Sequence, residues 1–195
     1  MLSLPGSAAE LAEAIDRGQR IKFLFFWGHK PEPDGSLGRG CLSQWWPAPF
    51  TVDGIVFATA EHYMMWRKAM LFGDEKIAAQ IVEVPHPSQA KALGRQARGF
   101  DEATWAAHRS EIVVAGSVAK FGQDPRLREF LLATGDRVLV EASPRDRVWG
   151  IGLGAANERA EDPRQWRGLN LLGFALMRAR AALRDDGACG GQPAG

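Results

Sequence analysis

The sequence is poor in residues that support disulfide or metal chemistry. Its 195 residues include two cysteines and four histidines. Neither Cys41 nor Cys189 has a second cysteine or a histidine at the spacing of zinc ligands, and no His-x-x-x-His pair occurs. We therefore expect neither a disulfide framework nor a metal site.

Net charge and long apolar runs are also lacking. Lys and Arg total 24 against 23 Asp and Glu, a formal charge of +1, so the whole molecule has no field that would attract nucleic acid or an anionic membrane. No window reaches the roughly 18 uninterrupted apolar residues of a membrane span, and the N-terminus lacks the basic end and apolar run of a signal peptide. We expect a cytoplasmic protein that does not bind membranes.

What the sequence does have is the composition of an ordinary globular protein and an excess of tryptophan. Apolar residues make up 46% and charged residues 24%, which is typical of a single folded domain. Seven tryptophans accompany one tyrosine. Most of the indoles are expected in the core, but a flat, rigid indole also stacks well on planar ligands.

Hydrophobic periodicity predicts an α+β fold that is predominantly helical, with a few short strands. Helices are predicted over 7–17, 60–72, 75–83, 88–97, 101–123, 124–134 and 163–184, and strands over 21–27 and 137–143. Asp53-Gly54 predicts a hairpin turn, Thr59 predicts a helix N-cap, and residues 28–40 predict an exposed loop. We divide the chain into an N-terminal helical extension (1–20), a main domain (21–184) and a disordered tail (185–195).

Glu61, at the start of a predicted helix, has two equally supported interpretations. A carboxylate there interacts favourably with the helix dipole and needs no further role. Helical spacing also places it over Met64, Met65 and Lys68, at the edge of an apolar face, where a carboxylate is a candidate for function.

A second candidate segment follows the predicted strand at 137–143, where Asp146 and Trp149 occur among glycines. Loops after strands often carry catalytic residues, but spacing alone favours a turn aspartate and a packed tryptophan. The glycines do not complete a dinucleotide-binding motif, and no P-loop, serine-esterase or zinc-protease motif occurs. Trp105 has a simpler interpretation as a core residue, and Lys91 and Arg95 as a solvated helix face.

Eight blocks of sequence occur in the order typical of one protein family. They are FFW, LSQWWPAPF, TAEHYMMWRKAMLFGD, AKALGRQ, the W-x-x-x-R stretch from Trp105 to Arg109, KFGQDPRLREFLLATG, LVEASPRDRVWGIGLG and GLNLLGFALM. Together, from about Ile21 to Leu183, they resemble the NADAR, or YbiA-like, family. The loop at 28–40, the N-terminal helix and Asp124 depart from the family pattern.

The resemblance implies an N-glycosidase that hydrolyses the C–N bond between ribose and a base or amine, with no cofactor. Family substrates include ribosylamino-pyrimidine 5′-phosphate intermediates of riboflavin biosynthesis, and related members remove ADP-ribose from modified guanine. The family's functional residues match Glu61, Trp105, Asp146 and Trp149.

This chemistry suits the four residues. Cleavage develops positive charge at the anomeric carbon and negative charge on the leaving nitrogen, so one carboxylate can stabilise the carbon or activate water while the other protonates the base. The two indoles can stack on the heterocycle or flank the ribose. We expect all four to line one cleft. The candidate ligands of a 5′-phosphate are Lys68, Lys91, Arg95 and Lys120, and we expect Lys91 or Arg95 to reach the cleft.

Two alternatives stay open. One is an ADP-ribosyl-guanine hydrolase that acts on modified nucleic acid through a local basic groove. The other is a non-catalytic module that binds ADP-ribose or nucleotides.

Overall fold

The computed structural model describes residues 5–189. The helices and short strands of this range follow in the order α1 (Ala8–Asp16), β1 (Phe23–Phe26), β2 (Phe50–Val52), β3 (Ile55–Phe57), α2 (Ala60–Leu71), α3 (Glu75–Glu83), α4 (Pro87–Gly94), α5 (Glu102–Gln123), α6 (Pro125–Ala133), β4 (Val138–Glu141) and α7 (Leu171–Cys189). Single 3-10 turns occur at Arg39–Leu42, Glu158–Glu161 and Pro163–Gln165. The predicted α+β, predominantly helical fold is confirmed.

The chain separates into two compact units, one of Met1–Gly28 with Glu129–Gly195 and one of His29–Arg128. The first unit is built on the parallel pair of β1 and β4, in which Phe23 lies opposite Val138. Helix α7 packs against β4. The buried Asn170 fixes this packing, because its side chain donates to the carbonyl of Leu139 and accepts from the N–H of Glu141, both at 3.0 Å.

Helix α1 also packs within the first unit. The hydroxyl of Ser7 caps it by accepting from the N–H of Glu10 at 3.1 Å, and Leu11 on its inner face is fully buried. Arg164 of the turn at Pro163–Gln165 pairs with Asp16 at the end of the helix. The predicted helix at 7–17 is confirmed.

The second unit is centred on α2, which packs against α3, α4 and α5. Thr59 caps α2 by accepting from the N–H of His62 at 3.4 Å, as predicted. Gly116 lets α5 approach α2 closely, because a Cβ at this position would lie 2.5 Å from the ring of Tyr63. The turn between β2 and β3 lies at Asp53-Gly54, as predicted.

Two helices, α4 and α7, have boundaries that differ from the prediction. Helix α4 ends at Gly94 instead of residue 97, and it begins at Pro87 because His86 supplies its N-terminal cap. The last helix begins at Leu171 instead of Pro163, because Asn170 has a left-handed backbone (φ 53°) that a helix cannot include.

The last helix then continues to Cys189, so residues 185–189, predicted as part of a disordered tail, are helical. No proline interrupts this stretch. Residues 190–195 of the predicted tail lie outside the described residues. Within 5–189, no helix combines the length and apolar character needed to cross a membrane.

Candidate active site

Glu61 lies in the first turn of α2 and is almost completely buried, with 3% of its surface exposed. Its backbone N–H donates to the carbonyl of Gln44 at 3.0 Å, which joins the start of α2 to the irregular segment that precedes β2. Met64 and Met65, on the same side of the helix, are buried as well. Burial of a carboxylate is costly, so such a group is retained mainly for a specific interaction or reaction.

Lys68 lies two turns further along α2 on the face that carries Glu61. Its Nζ is 4.1 Å from the ring centroid of Phe100 and 5.7 Å from that of Trp105. Burial lowers the pKa of the Lys68 ammonium group, an effect that the carboxylate of Glu102 opposes. Trp105 itself is 8% exposed and offers little of its indole to a ligand.

Helix α4 contributes the next two cations. Arg95, at its C-terminal end, is exposed and close enough to Lys68 to lower the pKa of that ammonium group further by like-charge repulsion. Lys91 is half-buried, with Nζ 6.0 Å from the ring centroid of Trp45. Lys68 and Arg95 are therefore two cations of the second unit that repel each other.

Lys120 differs from these three because it lies in the interior. Its Nζ donates to the carbonyls of Cys41 at 2.7 Å and Ser43 at 2.8 Å, and 2% of the residue is exposed. Burial lowers the pKa of the ammonium group to about 7. Because two backbone carbonyls occupy this buried group, we drop Lys120 from the candidate phosphate ligands.

Asp146 and Trp149 lie in the first unit, in the loop after β4. One carboxylate oxygen of Asp146 (Oδ1) accepts from the N–H groups of Val148 at 2.9 Å and Trp149 at 2.7 Å. The carboxylate therefore organises the turn, as the simpler sequence interpretation predicts. Both of these hydrogen bonds end on Oδ1, so they orient the carboxyl group without involving Oδ2.

The loop that carries Asp146 and Trp149 is hydrogen-bonded to the segment before α7 and to the first turn of that helix. Backbone N–H groups of Leu169, Asn170 and Leu172 donate to carbonyls in the loop at 3.0–3.2 Å. Gly168 permits this pairing, because a Cβ there would lie 2.3 Å from the carbonyl oxygen of Gly150. Sequence reasoning missed this support, although the GLN triplet at 168–170 is part of the last family block.

The structure thus brings some of the predicted residues together within one unit. Within the second unit, Lys68 lies beside Trp105 and near Arg95. Because Asp146 and Trp149 belong to the first unit, the expectation that they share one cleft with Glu61 stays a prediction.

The sequence analysis also missed a residue in the second unit. This residue is Trp45, whose ring lies next to the side chains of two histidines. A second tryptophan follows it directly in the LSQWW block, and spacing alone does not show which of the two has a role in function.

The buried His62 has a structural role. Its Nε2 donates to the carbonyl of Val84 at 3.0 Å, so Nδ1, 2.8 Å from the hydroxyl of Thr59, accepts from that hydroxyl. Burial lowers the pKa of this imidazole, which favours the neutral form. Among residues 5–189, no cluster of three His, Cys, Asp or Glu side chains is arranged to hold a metal ion.

The chain is similar to known proteins over most of its length. A family model described as the NADAR domain matches residues 25–184. An N-glycosidase of Acanthamoeba polyphaga mimivirus is 41% identical over 164 residues, which cover 82% of this chain and 95% of that protein. An N-glycosidase of Nostoc punctiforme is 34% identical over 75% of this chain and 86% of its own length. The NMR structure of the E. coli protein YbiA matches with a TM-score of 0.69 and 28% identity, over 87% of this chain and 89% of that one.

Proposed function

The chain belongs to the NADAR family, and on this premise we propose that it is an N-glycosidase that hydrolyses the C–N bond between ribose and a base or amine. The observation that supports this most is the position of Glu61. A carboxylate that is 3% exposed shares one face of α2 with Lys68, and the charge of Arg95 lowers the pKa of the Lys68 ammonium group. An acid on the same helix face as a cation suits a substrate that carries both a glycosidic bond and a phosphate.

The reaction requires two proton transfers, which two carboxyl groups can divide. The C–N bond breaks as its electron pair moves to nitrogen, and positive charge develops at the anomeric carbon. One carboxylate stabilises this charge or accepts a proton from the attacking water, and the other carboxyl group protonates the leaving nitrogen. We assign these tasks jointly to Glu61 and Asp146, with Trp105 and Trp149 flanking the substrate.

For the substrate we propose a ribosylamino-pyrimidine 5′-phosphate of riboflavin biosynthesis. Lys68 and Arg95, with Lys91 one turn earlier in α4, supply the positive charge that its phosphate requires. Like charges held close together favour a dianionic ligand, because the ligand relieves their repulsion. A phosphorylated biosynthetic intermediate is consistent with the expected cytoplasmic location.

Direct incubation tests the proposal. The protein is mixed separately with a ribosylamino-pyrimidine 5′-phosphate and with an oligonucleotide that carries ADP-ribosylated guanine, and products are identified by mass spectrometry. Release of ribose 5-phosphate from the pyrimidine compound supports the proposal. Release of ADP-ribose from the oligonucleotide alone identifies the guanine hydrolase instead, and cleavage of neither compound favours the binding module and contradicts the proposal.

A further inference from the structure

Trp45 has neighbours that differ from those of the core aromatic residues. The cluster around Phe57 packs ring against ring at centroid distances of 5.2–5.9 Å. The aromatic and cationic groups around Trp45 are instead all ionisable, with His29 at 5.7 Å, His86 at 5.9 Å and the Nζ of Lys91 at 6.0 Å. A half-buried indole with polar neighbours is suited to contact a ligand that has both a flat face and polar edges.

The position of Trp45 ties it to the candidate catalytic acid. The preceding residue, Gln44, accepts the backbone hydrogen bond of Glu61 through its carbonyl at 3.0 Å. The carbonyl of Ser43 is held in turn by the ammonium group of the buried Lys120 at 2.8 Å. The indole is therefore joined to Glu61 through a short segment of backbone, which hydrogen bonds fix at the carbonyls of Ser43 and Gln44.

Of the side chains that surround Trp45, that of His86 is held in place by contacts of its own. The Nδ1 of His86 lies 2.7 Å from the hydroxyl of Ser88, and its backbone N–H donates to Gln89 at 3.2 Å. His29 belongs to the loop at 28–40, which departs from the family pattern. This loop packs tightly against its own end, because a Cβ at Gly40 would lie 2.2 Å from the carbonyl oxygen of Lys30.

Resting on the proposed N-glycosidase function, we infer that Trp45 is the surface on which the heterocycle of the substrate stacks, and that His29 helps to determine which heterocycle is accepted. Trp105, with 8% of its surface exposed, keeps its proposed role of flanking the substrate but has too little open ring for the heterocycle to stack on. The Nζ of Lys91 lies over the same ring, 6.0 Å from its centroid. Its ammonium group is therefore close to a ligand that contacts the indole, and as a hydrogen-bond donor it can bind oxygen atoms of that ligand.

Kinetic measurements on Trp45 variants test the stacking surface. Trp45→Leu keeps much of the apolar volume but removes the aromatic face, whereas Trp45→Phe keeps an aromatic face. We expect Trp45→Leu to raise KM for the ribosylamino-pyrimidine 5′-phosphate by roughly 5- to 150-fold with a smaller change in kcat, since base stacking on an aromatic side chain contributes about 1–3 kcal/mol. Trp45→Phe should recover most of the lost affinity, and Trp46→Phe, the matched control, should leave KM unchanged.

His29→Ala tests the second part of the inference. We expect the ratio of kcat/KM between the pyrimidine compound and the ADP-ribosylated guanine oligonucleotide to change by about tenfold. Circular dichroism establishes whether each variant is folded. If Trp45→Leu does not fold, quenching of tryptophan fluorescence by the ligand is compared between Trp45→Phe and Trp46→Phe instead.

The outcomes separate this inference from the proposed function. A wild-type KM in Trp45→Leu, or an unchanged ratio in His29→Ala, overturns the inference while the wild-type protein still cleaves its substrate. A wild-type protein that cleaves neither compound contradicts the proposed function. In that case, quenching of tryptophan fluorescence by the pyrimidine compound that is clearly weaker in Trp45→Phe than in Trp46→Phe supports the stacking surface, and equal quenching in both variants overturns it.

Discussion

Lys120 gives the most quantitative prediction, because its ammonium group is buried without a carboxylate partner in the contacts described above. Its Nζ is bonded to two backbone carbonyls, and burial lowers the pKa from 10.5 to about 7. The unfolded chain therefore holds this proton more tightly than the folded protein does between these two pH values. Stability consequently rises with pH from about 7 to about 10.5. Below about pH 7, Lys120 is protonated in both states and no longer makes stability depend on pH.

The size of the effect follows from the two pKa values. A shift from 10.5 to about 7 corresponds to about 5 kcal/mol at about 1.4 kcal/mol per pKa unit. Most of this range is accessible to experiment, since linkage predicts a gain of about 3 kcal/mol between pH 6.5 and pH 9.5. Lys120→Met removes the titrating group and with it this gain.

Urea unfolding of the wild-type protein and of Lys120→Met at several pH values provides the assay. The quantity of interest is the difference in unfolding free energy between the two proteins, because contributions from titrating groups that do not interact with Lys120 cancel. We expect this difference to move in favour of the wild type by about 3 kcal/mol from pH 6.5 to pH 9.5. Lys76→Met, at an exposed position in α3, should show no such trend. A difference that stays constant with pH in Lys120→Met would refute the burial argument.

Three further predictions concern stability. Asp74→Asn should lower Tm at pH 7 but much less near pH 2, because hydrogen bonds from Arg98 hold the pKa of Asp74 well below its usual range and that stabilisation is lost as pH falls below about 4. Asn170→Ala should lower the unfolding free energy in urea by about 2–4 kcal/mol, since it breaks two buried hydrogen bonds to β4 at a residue with positive φ. Gly116→Ala should cost about 1–3 kcal/mol in the same assay, because the new methyl group meets the ring of Tyr63, and a wild-type midpoint would contradict this contact.

Features encoded by adjacent residues could be predicted from the sequence. Asp53-Gly54 and Thr59 act through their own backbone and that of their neighbours, so the turn and the cap were recognisable without tertiary structure. The start of α7 was not recognisable in this way. Asn170 ends the irregular stretch because its side chain bonds to β4, about thirty residues earlier in the chain, and no local pattern reports that contact.

The candidate site shows the same division. The spacing of Glu61 to Met64, Met65 and Lys68 placed it at the edge of an apolar helix face, although it did not decide between a role in function and an interaction with the helix dipole. The surroundings of Trp45 could not be predicted, because they combine side chains from the loop at 28–40 and from α4. The interior position of Lys120 was also beyond local reasoning, since an isolated lysine near a helix end is normally solvated and its carbonyl partners lie 77–79 positions away.

Turnover by the two carboxylate variants tests the central claim most directly. Glu61→Gln and Asp146→Asn keep the shape of each side chain but remove its charge and its capacity for proton transfer. With the ribosylamino-pyrimidine 5′-phosphate as substrate, each should lower kcat by roughly 10²- to 10⁴-fold while the circular dichroism spectrum stays that of the wild type, and Glu83→Gln, at an exposed position in α3, should retain full activity. If both carboxylate variants are folded and release ribose 5-phosphate at the wild-type rate, the proposed N-glycosidase mechanism is wrong.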